Sequence, residues 1–328
     1  MVDLRTHYMG LVLDNPLIVA SSGLTGSPEG VEKAAAAGAG AVVLKSLFEE
    51  QILAEVGKES EGIDLDAHPE AEAFISRTAW EEGSDAYLSL VRDSKQRAGK
   101  TPLIASINCV GSGNWASFAS RIEEAGADAL ELNIAYMPNS PSLSSKDIEE
   151  RVLSTVKEVR HSTTLPIEVK LGSHYSSLPH LAAAISKLGA NALVLFNRFY
   201  RLDIDIDSMK LVRAQPMSGG DEYHDSLRWM ALLFQRTGIE LCGATGIHDA
   251  QTMAKFILAG ASAVQICSAL YKGGWKTVGK ILDDLRILME AQGFSSVDSM
   301  RGRLSAKSTG RLDEYMRLQY IKALTGIS

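Results

Sequence analysis

The stretch LGANALVLFN, residues 188–197, contains the pattern that decides the fold. It begins with a helix-ending pair, Gly189-Ala190, because glycine readily adopts the left-handed conformation in which many helices end. The run Ala192–Asn197 follows and stays apolar until its last residue. A short apolar run bounded by turn residues predicts a strand that is buried on both faces, as in a parallel sheet.

The same pattern recurs along the whole chain. Helix-ending small residues also precede strand-like runs at Gly38-Ala39-Gly40, Ala125-Gly126-Ala127 and Ala259-Gly260-Ala261, and Ser27-Pro28-Glu29 predicts a helix start. Eight apolar runs alternate with amphipathic stretches, at residues 16–21 (PLIVAS), 41–46 (AVVLKS), 102–108 (PLIASIN), 129–134 (ALELNI), 166–171 (PIEVKL), 192–197 (ALVLFN), 240–245 (ELCGAT) and 263–268 (AVQICS). This alternation predicts an α/β fold, a (β/α)8 TIM barrel, with a doubly wound open sheet as the alternative.

Two connections between the predicted strands are too long to be simple loops. Residues 47–101 follow strand two and residues 198–239 follow strand six, so both insertions leave the end of the barrel where active sites lie. Residues 203–212 alternate like a strand and predict a small hairpin. Residues Tyr8–Asn15 predict a second, N-terminal hairpin, with a turn at Gly10, that closes the barrel bottom. No linker appears, so we expect one domain over residues 1–328.

Composition limits the class of function. The 328 residues have a net charge of −7, which disfavours nucleic acids and acidic membranes as partners because both require a basic surface. Cys109, Cys242 and Cys267 are too few and too scattered for a disulfide framework or a metal centre. The chain starts without a signal-peptide pattern, and no apolar run reaches the roughly 20 residues that cross a bilayer. We therefore expect a cytoplasmic protein without a metal.

Polar residues end several predicted strands at the face where a barrel displays its site. A convergent set of lysines and asparagines predicts a ligand rich in hydrogen-bonding groups, whereas one such residue alone is usually structural. Glycine-rich ends of the last two strands predict a phosphate site, to which Ser218-Gly219 is expected to add backbone donors. The strand-end residues are Lys45, Ser46, Asn108, Asn133, Lys170, Asn197, Gly243-Ala244-Thr245-Gly246 and Cys267-Ser268.

These motifs, in this order, resemble the dihydroorotate dehydrogenase family over nearly the whole chain. The resemblance covers its first strand, the lysine motif of strand two, the motifs of strands four and five, and its two FMN-phosphate motifs. The matching segments are Asn15–Gly23, Val43–Ser46, Glu131–Asn133, Val169–Leu171, Gly243–Ile247 and Gln265–Leu270.

The resemblance implies an FMN-dependent oxidoreductase that oxidises dihydroorotate to orotate in pyrimidine biosynthesis, by hydride transfer to flavin N5. Lys170 would lie at the flavin N1–O2 edge, where reduction places negative charge. Family members pass electrons to fumarate, quinone or a partner subunit, and such barrels are commonly homodimers. The implied cofactor-binding residues are Ala20, Ser21, Lys45, Ser46, Asn108, Asn133, Lys170, Ser218, Gly219, Gly243, Ala244, Thr245, Gly246, Cys267 and Ser268.

The loop that would supply the catalytic base departs from the family pattern. Family members have Cys or Ser within Asn-x-Ser-Cys-Pro-Asn or Asn-x-Ser-Ser-Pro-Asn, whereas residues 133–139 read NIAYMPN. Tyr136 is a candidate base that would need activation, since tyrosine has a reference pKa of about 10, and it is alternatively an aromatic lid. Ser140 and Lys45 are the other catalytic candidates.

The implied substrate-binding residues are Asn133, Asn139, Asn197 and Arg198. Arg198 replaces the family's usual Ser or Thr and would suit a carboxylate, and Thr245 replaces a usual glycine. These departures leave two alternatives. One is a related flavin enzyme that acts on another substrate, such as a dihydropyrimidine. The other is a flavin-free lyase in which Lys45 or Lys170 forms a Schiff base.

Overall fold

The strands form one closed barrel and two small hairpins. The computed structural model describes residues 2–49, 69–108, 112–199, 201–310 and 312–315. Within these ranges the strands are β1 (Thr6–Tyr8), β2 (Leu11–Leu13), β3 (Leu17–Val19), β4 (Ala41–Val43), β5 (Leu47–Phe48), β6 (Leu103–Asn108), β7 (Ala129–Ile134), β8 (Ile167–Leu171), β9 (Ala192–Leu195), β10 (Leu202–Asp205), β11 (Lys210–Arg213), β12 (Glu240–Ala244) and β13 (Ala263–Ile266). Parallel pairing runs β3, β4, β6, β7, β8, β9, β12, β13 and returns to β3. The predicted (β/α)8 barrel is confirmed.

Helices follow the barrel strands, as the alternation predicted. Over the same ranges they are α1 (Pro28–Ala36), α2 (Pro69–Ala98), α3 (Ser112–Glu124), α4 (Ser145–Ser162), α5 (Leu178–Lys187), α6 (His224–Leu233), α7 (Ala250–Ala259), α8 (Ser268–Gly273), α9 (Lys276–Ala291), α10 (Val297–Met300), α11 (Ala306–Thr309) and α12 (Leu312–Tyr315). The predicted start of α1 is confirmed, because the Ser27 hydroxyl accepts a hydrogen bond from Gly30 N. The predicted helix-ending glycines all have φ between 92° and 129°: Gly38, Gly126, Gly189 and Gly260.

The N-terminal hairpin closes the bottom of the barrel, as predicted. β1 and β2 pair antiparallel on either side of Gly10, whose φ is +78°. Three of its side chains are almost completely buried, and they share one hydrophobic cluster with inward-facing barrel residues: Tyr8, Met9 and Leu13. Four strands of the barrel begin with an alanine of this cluster: Ala41, Ala129, Ala192 and Ala263. Small side chains at these positions leave the space that the hairpin fills.

The two long insertions begin after β4 and β9. The first contributes β5, which pairs in parallel with β6, and the 30-residue helix α2. The second contains the predicted hairpin, in which β10 and β11 pair antiparallel with Ile204 opposite Leu211. Its apolar side chains are exposed rather than packed: Leu202, Ile204, Ile206, Met209 and Leu211.

The main hydrophobic core lies between the barrel strands and the helices around them. Its largest buried side chains come from helices, Trp115 and Phe118 of α3 and Phe256 of α7. Among the helices of the described ranges, none combines the length and the apolar composition that crossing a bilayer requires. The core therefore positions the C-terminal ends of the strands, which carry the polar side chains described next.

Candidate functional site

A cavity of about 220 Å³ opens at the C-terminal ends of the barrel strands. It lies where β3, β8, β9, β12 and β13 end, which is the face that carries the active site in barrel enzymes. The second insertion contributes one wall through Pro216 and Ser218. The full lining is Ala20, Ser21, Lys170, Phe196, Asn197, Arg198, Pro216, Ser218, Ala244, Thr245, Gly246, Ile247, Gln265, Cys267 and Ser268.

The structure brings most of the sequence-predicted residues to this cavity. Two more adjoin the lining through hydrogen bonds: Ser46 is bonded to Ser21, and Asn133 to Asn197. The predicted residues outside the lining are Lys45, Asn108, Tyr136, Asn139, Ser140, Gly219 and Gly243. Cys109 lies outside the described residues.

A chain of hydroxyl and amide groups crosses one side of the barrel mouth. The Ser46 hydroxyl lies 3.0 Å from that of Ser21 and 2.7 Å from that of Ser106. Asn133 Nδ2 donates to Ser46 Oγ at 3.2 Å, and Asn133 Oδ1 accepts from Asn197 Nδ2 at 2.6 Å. Because each group fixes the next, their orientations are set before any ligand arrives.

Lys170 supplies a positive charge at the cavity wall. The side chain emerges from the end of β8 and is nine-tenths buried. Its Nζ donates to Gln265 Oε1 at 2.8 Å and lies 3.6 Å from Glu131 Oε2. A cation held in this way is preorganised to stabilise negative charge that forms in the cavity.

Two fully buried carboxyl groups lie beneath Lys170. Gln265 Nε2 donates to Glu131 Oε2 at 2.9 Å and to Glu168 Oε1 at 3.0 Å, and Tyr8 donates its hydroxyl hydrogen bond to Glu168. Burial raises the pKa of Glu168 well above its usual range, and the charge of Glu131 raises it further. Sequence reasoning did not assign these acids to the site. The sequence did contain a signal for them, because an acidic residue inside an otherwise apolar strand is rarely buried without a specific partner.

The opposite wall is built from hydroxyl groups and a tight turn. Ser218 N donates to Ser268 Oγ at 3.0 Å, and the Ser218 hydroxyl lies 3.2 Å from His248 Nε2. Lys272 Nζ donates to the Ser218 carbonyl at 2.8 Å, which brings a second cation near this wall. Burial lowers the pKa of His248, and the charge of Lys272 lowers it further. His248 and Lys272 were not among the predicted site residues.

The turn after β12 has two successive residues in the left-handed region. The φ of Thr245 is +70° and that of Gly246 is +76°. The Thr245 hydroxyl donates to the Phe196 carbonyl at 3.0 Å, which compensates part of the cost of this conformation for a β-branched residue. A Cβ on Gly246 would lie 2.6 Å from Tyr223 N, so the main chains pack too closely for any side chain. The turn is therefore held rigidly against the cavity.

Arg198 lies at the cavity edge but is bonded within the protein. Its Nε donates to Glu222 Oε2 at 2.9 Å, and its terminal nitrogens donate to the carbonyls of Gln215 and Pro216 at 3.1 Å. Glu222 also accepts from Gly219 N at 2.7 Å. Burial opposes the ionised form of Glu222, but its hydrogen bonds from Arg198 and Gly219 lower its pKa overall. This ion pair joins the start of the second insertion, just after β9, to the segment that precedes α6.

Comparison with known proteins agrees with this geometry. The family model for dihydroorotate dehydrogenase matches residues 3–289, which span every strand of the barrel. The chain belongs to the dihydroorotate dehydrogenase family. Membership identifies it as an oxidoreductase of the class that acts on CH–CH bonds, which confirms the predicted enzyme class.

Several relatives in this family match over almost their whole length. The catalytic subunit of dihydroorotate dehydrogenase B (NAD(+)) from Pyrococcus furiosus is 28% identical over 92% of this chain and 98% of its own. The proteins of the same description from Methanothermobacter thermautotrophicus and Thermococcus kodakarensis are 29% and 30% identical, each over 91% of this chain and 97% of their own. The likeness therefore extends over the whole barrel rather than a single motif.

The loop after β7 differs from the family motif and lies away from the cavity lining. The Tyr136 hydroxyl lies 3.2 Å from Thr155 Oγ1 of α4, and the Arg151 guanidinium lies 5.4 Å from the centre of its ring. Ser140 is half-buried, and its hydroxyl lies 2.8 Å from that of Ser142. The assignment of Tyr136 or Ser140 as the base stays a prediction.

The remaining predicted residues lie around the rim. Lys45 is exposed, and its Cδ packs against Gly26. Asn108 ends β6 opposite Phe48 and is half-buried. Asn139 is exposed on the loop after β7. Their roles in binding stay predictions.

Proposed function

We propose that this chain binds FMN in the cavity at the barrel mouth and oxidises dihydroorotate to orotate. The observation that carries the proposal is Lys170, a buried ammonium that lines a cavity bordered by hydroxyl groups and a rigid glycine turn. Family membership supports the reaction class, and the curated relatives are dihydroorotate dehydrogenases.

The groups that line the cavity suit FMN at both of its ends. A phosphate dianion requires backbone N–H groups, hydroxyls and a nearby cation, which the turn at Thr245-Gly246, Ser268 and Lys272 supply. A flavin ring requires donors and acceptors along one polar edge, and Ser21, Lys170 and the neighbouring amides offer both. The donor set therefore fits the cofactor without any metal.

When bound, FMN supplies the acceptor for the hydride that leaves the substrate. Lys170 would stabilise the negative charge that reduction creates, and its bonds to Gln265 and Glu131 keep it oriented for this role. Asn133 and Asn197 already hydrogen-bond to each other, so their remaining donors and acceptors are aligned for a planar, amide-rich substrate. Asn139 would reach the same substrate from the loop after β7.

The proton that leaves with the hydride requires a base from the loop after β7. We propose Ser140, because its hydroxyl contacts only its own loop among the hydrogen bonds that the structure gives, whereas the Tyr136 hydroxyl is bonded to α4. A neutral serine hydroxyl can accept this proton only if it passes on its own hydroxyl proton, and the Ser142 hydroxyl, 2.8 Å away and exposed to solvent, would receive that proton and release one to water.

A related flavin enzyme with a different substrate is the second candidate. It is favoured by the loop after β7, which departs from the family motif and contributes no residue to the described cavity lining. A flavin-free Schiff-base lyase fits less well. That chemistry requires a lysine amine free to attack a carbonyl group in the cavity, but Lys170 Nζ is hydrogen-bonded to Gln265 and lies beside the Glu131 carboxyl group, and Lys45 is outside the cavity lining.

We also propose that electrons leave through a partner subunit. The relatives that match over more than nine-tenths of their length are named as catalytic subunits of an NAD(+)-linked enzyme. Anaerobic reoxidation by NAD+ should therefore be slow for this chain alone and should accelerate when a partner subunit from a relative is added. Fast reoxidation by NAD+ without a partner would contradict this proposal.

The deciding experiment is an absorption spectrum of the purified protein, followed by anaerobic addition of dihydroorotate. We expect a flavin spectrum that bleaches. A bound flavin that stays oxidised would support FMN as the cofactor but would favour the second candidate, a related flavin enzyme with a different substrate. A protein without flavin that takes up none from added FMN would refute the proposal.

A matched pair of variants locates the flavin. Lys170→Met should weaken FMN binding at least tenfold, since about 1.4 kcal/mol of interaction is tenfold in affinity and a charge-assisted bond contributes more. Lys100→Met removes the same charge from an exposed ion pair with Asp14 and should leave FMN binding unchanged. Equal effects of the two variants would show that the flavin binds elsewhere.

A further inference from the structure

Two carboxyl groups lie together in the interior of the barrel, where water does not reach them. Glu131 of β7 and Glu168 of β8 each have 0% exposure. They are adjacent in the register of the two strands, and the Gln265 amide donates one hydrogen bond to each. A single amide that bridges two buried acids is a specific arrangement, because each acid could otherwise remain unpaired at considerable cost.

The charges of this network do not balance unless a proton is present. Within the described residues it contains one cation, Lys170, and two acids. If both acids were ionised, the site would have a net charge of −1 in a region of low dielectric constant, which is strongly unfavourable. One additional proton makes the network neutral.

The hydrogen-bond partners indicate which acid holds that proton. Glu131 accepts from Ser106 at 2.8 Å and from Gln265, and it lies 3.6 Å from Lys170 Nζ, so its ionised form is satisfied. Glu168 accepts from Tyr8 and Gln265, which are both neutral. A protonated Glu168 would donate to the neighbouring Glu131 carboxylate, which is the charged acceptor beside it.

We propose that Glu131 and Glu168 share one proton at neutral pH, that Glu168 is its principal carrier, and that the pair holds Lys170 in position through Gln265. Glu168 is thereby a positioning residue that lines no part of the cavity itself. The titratable groups that face it are Tyr8 of β1, Glu131 of β7, Lys170 of β8 and Cys242 of β12. Burial raises the pKa of Glu168, Tyr8 and Cys242. The network therefore resists further ionisation.

The shared proton determines how strongly Lys170 can act on a ligand. With Glu168 protonated, Lys170 faces a single carboxylate and retains positive potential toward the cavity. If Glu168 ionised, the second negative charge would reduce that potential and would oppose any anion in the cavity. The part of this inference that concerns FMN rests on the proposed function, whereas the shared proton does not.

The proton is measurable as a pH dependence of folding. The pKa of Glu168 is higher in the folded chain than in the unfolded one, so folding takes up a proton at any pH between the two values. The stabilisation that the Glu168 proton gives to the folded chain is complete below the ordinary carboxyl pKa. It is lost as the pH rises toward the pKa that Glu168 has in the folded chain. Within that window the contribution of this site to the unfolding equilibrium constant should rise about tenfold per pH unit.

The two single variants, the double variant and a control are compared by urea unfolding at several pH values. Glu168→Gln and Glu131→Gln should each abolish the pH-dependent contribution to the unfolding equilibrium constant. The charges of the remaining acid and of Lys170 then cancel without an added proton. The double variant should reverse the sign of this contribution at alkaline pH, because Lys170 is then buried without a counter-charge and folding releases its proton. Glu123→Gln is the control. Glu123 lies outside the network, and hydrogen bonds from Thr163 and Thr164 lower its pKa, so this variant should leave the contribution intact.

Infrared spectroscopy of the wild-type protein decides the case even if a variant fails to fold. A protonated carboxyl band that shifts in D2O and on 13C-labelling of glutamate should be present at neutral pH. Absence of that band in the wild type, or a pH dependence of unfolding that Glu168→Gln leaves unchanged, would overturn the proposal. A protein that shows the band but binds no FMN would refute the proposed function alone. Where FMN is bound, Glu168→Gln should remove part of the pH dependence of its reduction potential.

Discussion

Gly243→Ala tests why β12 has a glycine beside the cavity. A Cβ at this position would lie 2.4 Å from Phe256 Cδ1 and 2.9 Å from two further atoms of the same ring. Phe256 belongs to α7 and is fully buried, so it has little room to move. Forcing an extra methyl group into a packed core costs about 1–3 kcal/mol. We expect the free energy of unfolding to fall by that amount, even though the cavity lies on the other side of the strand.

A second substitution separates packing from ligand binding. Phe256→Ala alone should cost about 3–5 kcal/mol, because it empties part of the core. The double variant should cost about the same as Phe256→Ala alone, since the new methyl group then occupies vacated space. The coupling free energy between the two substitutions should therefore be about 1–3 kcal/mol and favourable.

The assay is equilibrium unfolding in urea, followed by far-ultraviolet circular dichroism, with FMN affinity measured on the same samples. Gly279→Ala is the control, because no atom lies within 4 Å of the added Cβ and alanine favours the interior of α9. It should stabilise the protein by about 0.4–1 kcal/mol. Additivity of the two core substitutions within about 0.5 kcal/mol would refute the packing argument. Unchanged stability with weaker FMN binding would show that Gly243 serves the ligand.

The remaining predictions concern the walls of the cavity. Thr245→Gly should change the free energy of unfolding by less than about 1 kcal/mol, because relief of the left-handed conformation offsets the lost hydroxyl bond, while Thr245→Ala should cost about 1–2 kcal/mol in urea unfolding. Arg198→Ala should cost about 1–2 kcal/mol at neutral pH, because Glu222 loses its hydrogen bonds from Arg198 but keeps its ion pair with Arg201 and its bond from Gly219 N, and Arg198→Lys should restore less than half of that. The pKa of Glu222 is lowered in the folded chain, so this stabilisation is present above the ordinary carboxyl pKa and is lost as pH falls through the folded value. Arg198→Ala should remove part of that acid dependence, because Gly219 N and Arg201 still favour the ionised carboxylate. In stopped-flow reduction by dihydroorotate, Ser140→Ala should slow the reaction about 10²–10⁴-fold and Tyr136→Phe less than tenfold, and the reverse order would identify Tyr136 as the base.

The barrel could be predicted from the sequence because its signals are local. Apolar runs such as Ala192–Leu195, helix-ending glycines such as Gly189, and the Ser27 cap each act over a few residues. Parallel strands in a closed sheet then place all strand ends on one face, so Lys170 and Asn197 had to meet there. For the same reason, most of the predicted cofactor residues line one cavity.

The partners of each side chain were decided only by the tertiary structure. Glu131 and Gln265 are 134 residues apart, and their contact depends on how the strands are staggered when the barrel closes. The sequence likewise identified Arg198 and Tyr136 as candidate site residues, but packing bonded one to Glu222 and turned the other toward α4. Periodicity determines which face of a strand a residue occupies, whereas the identity of its neighbour depends on long-range geometry that no short segment encodes.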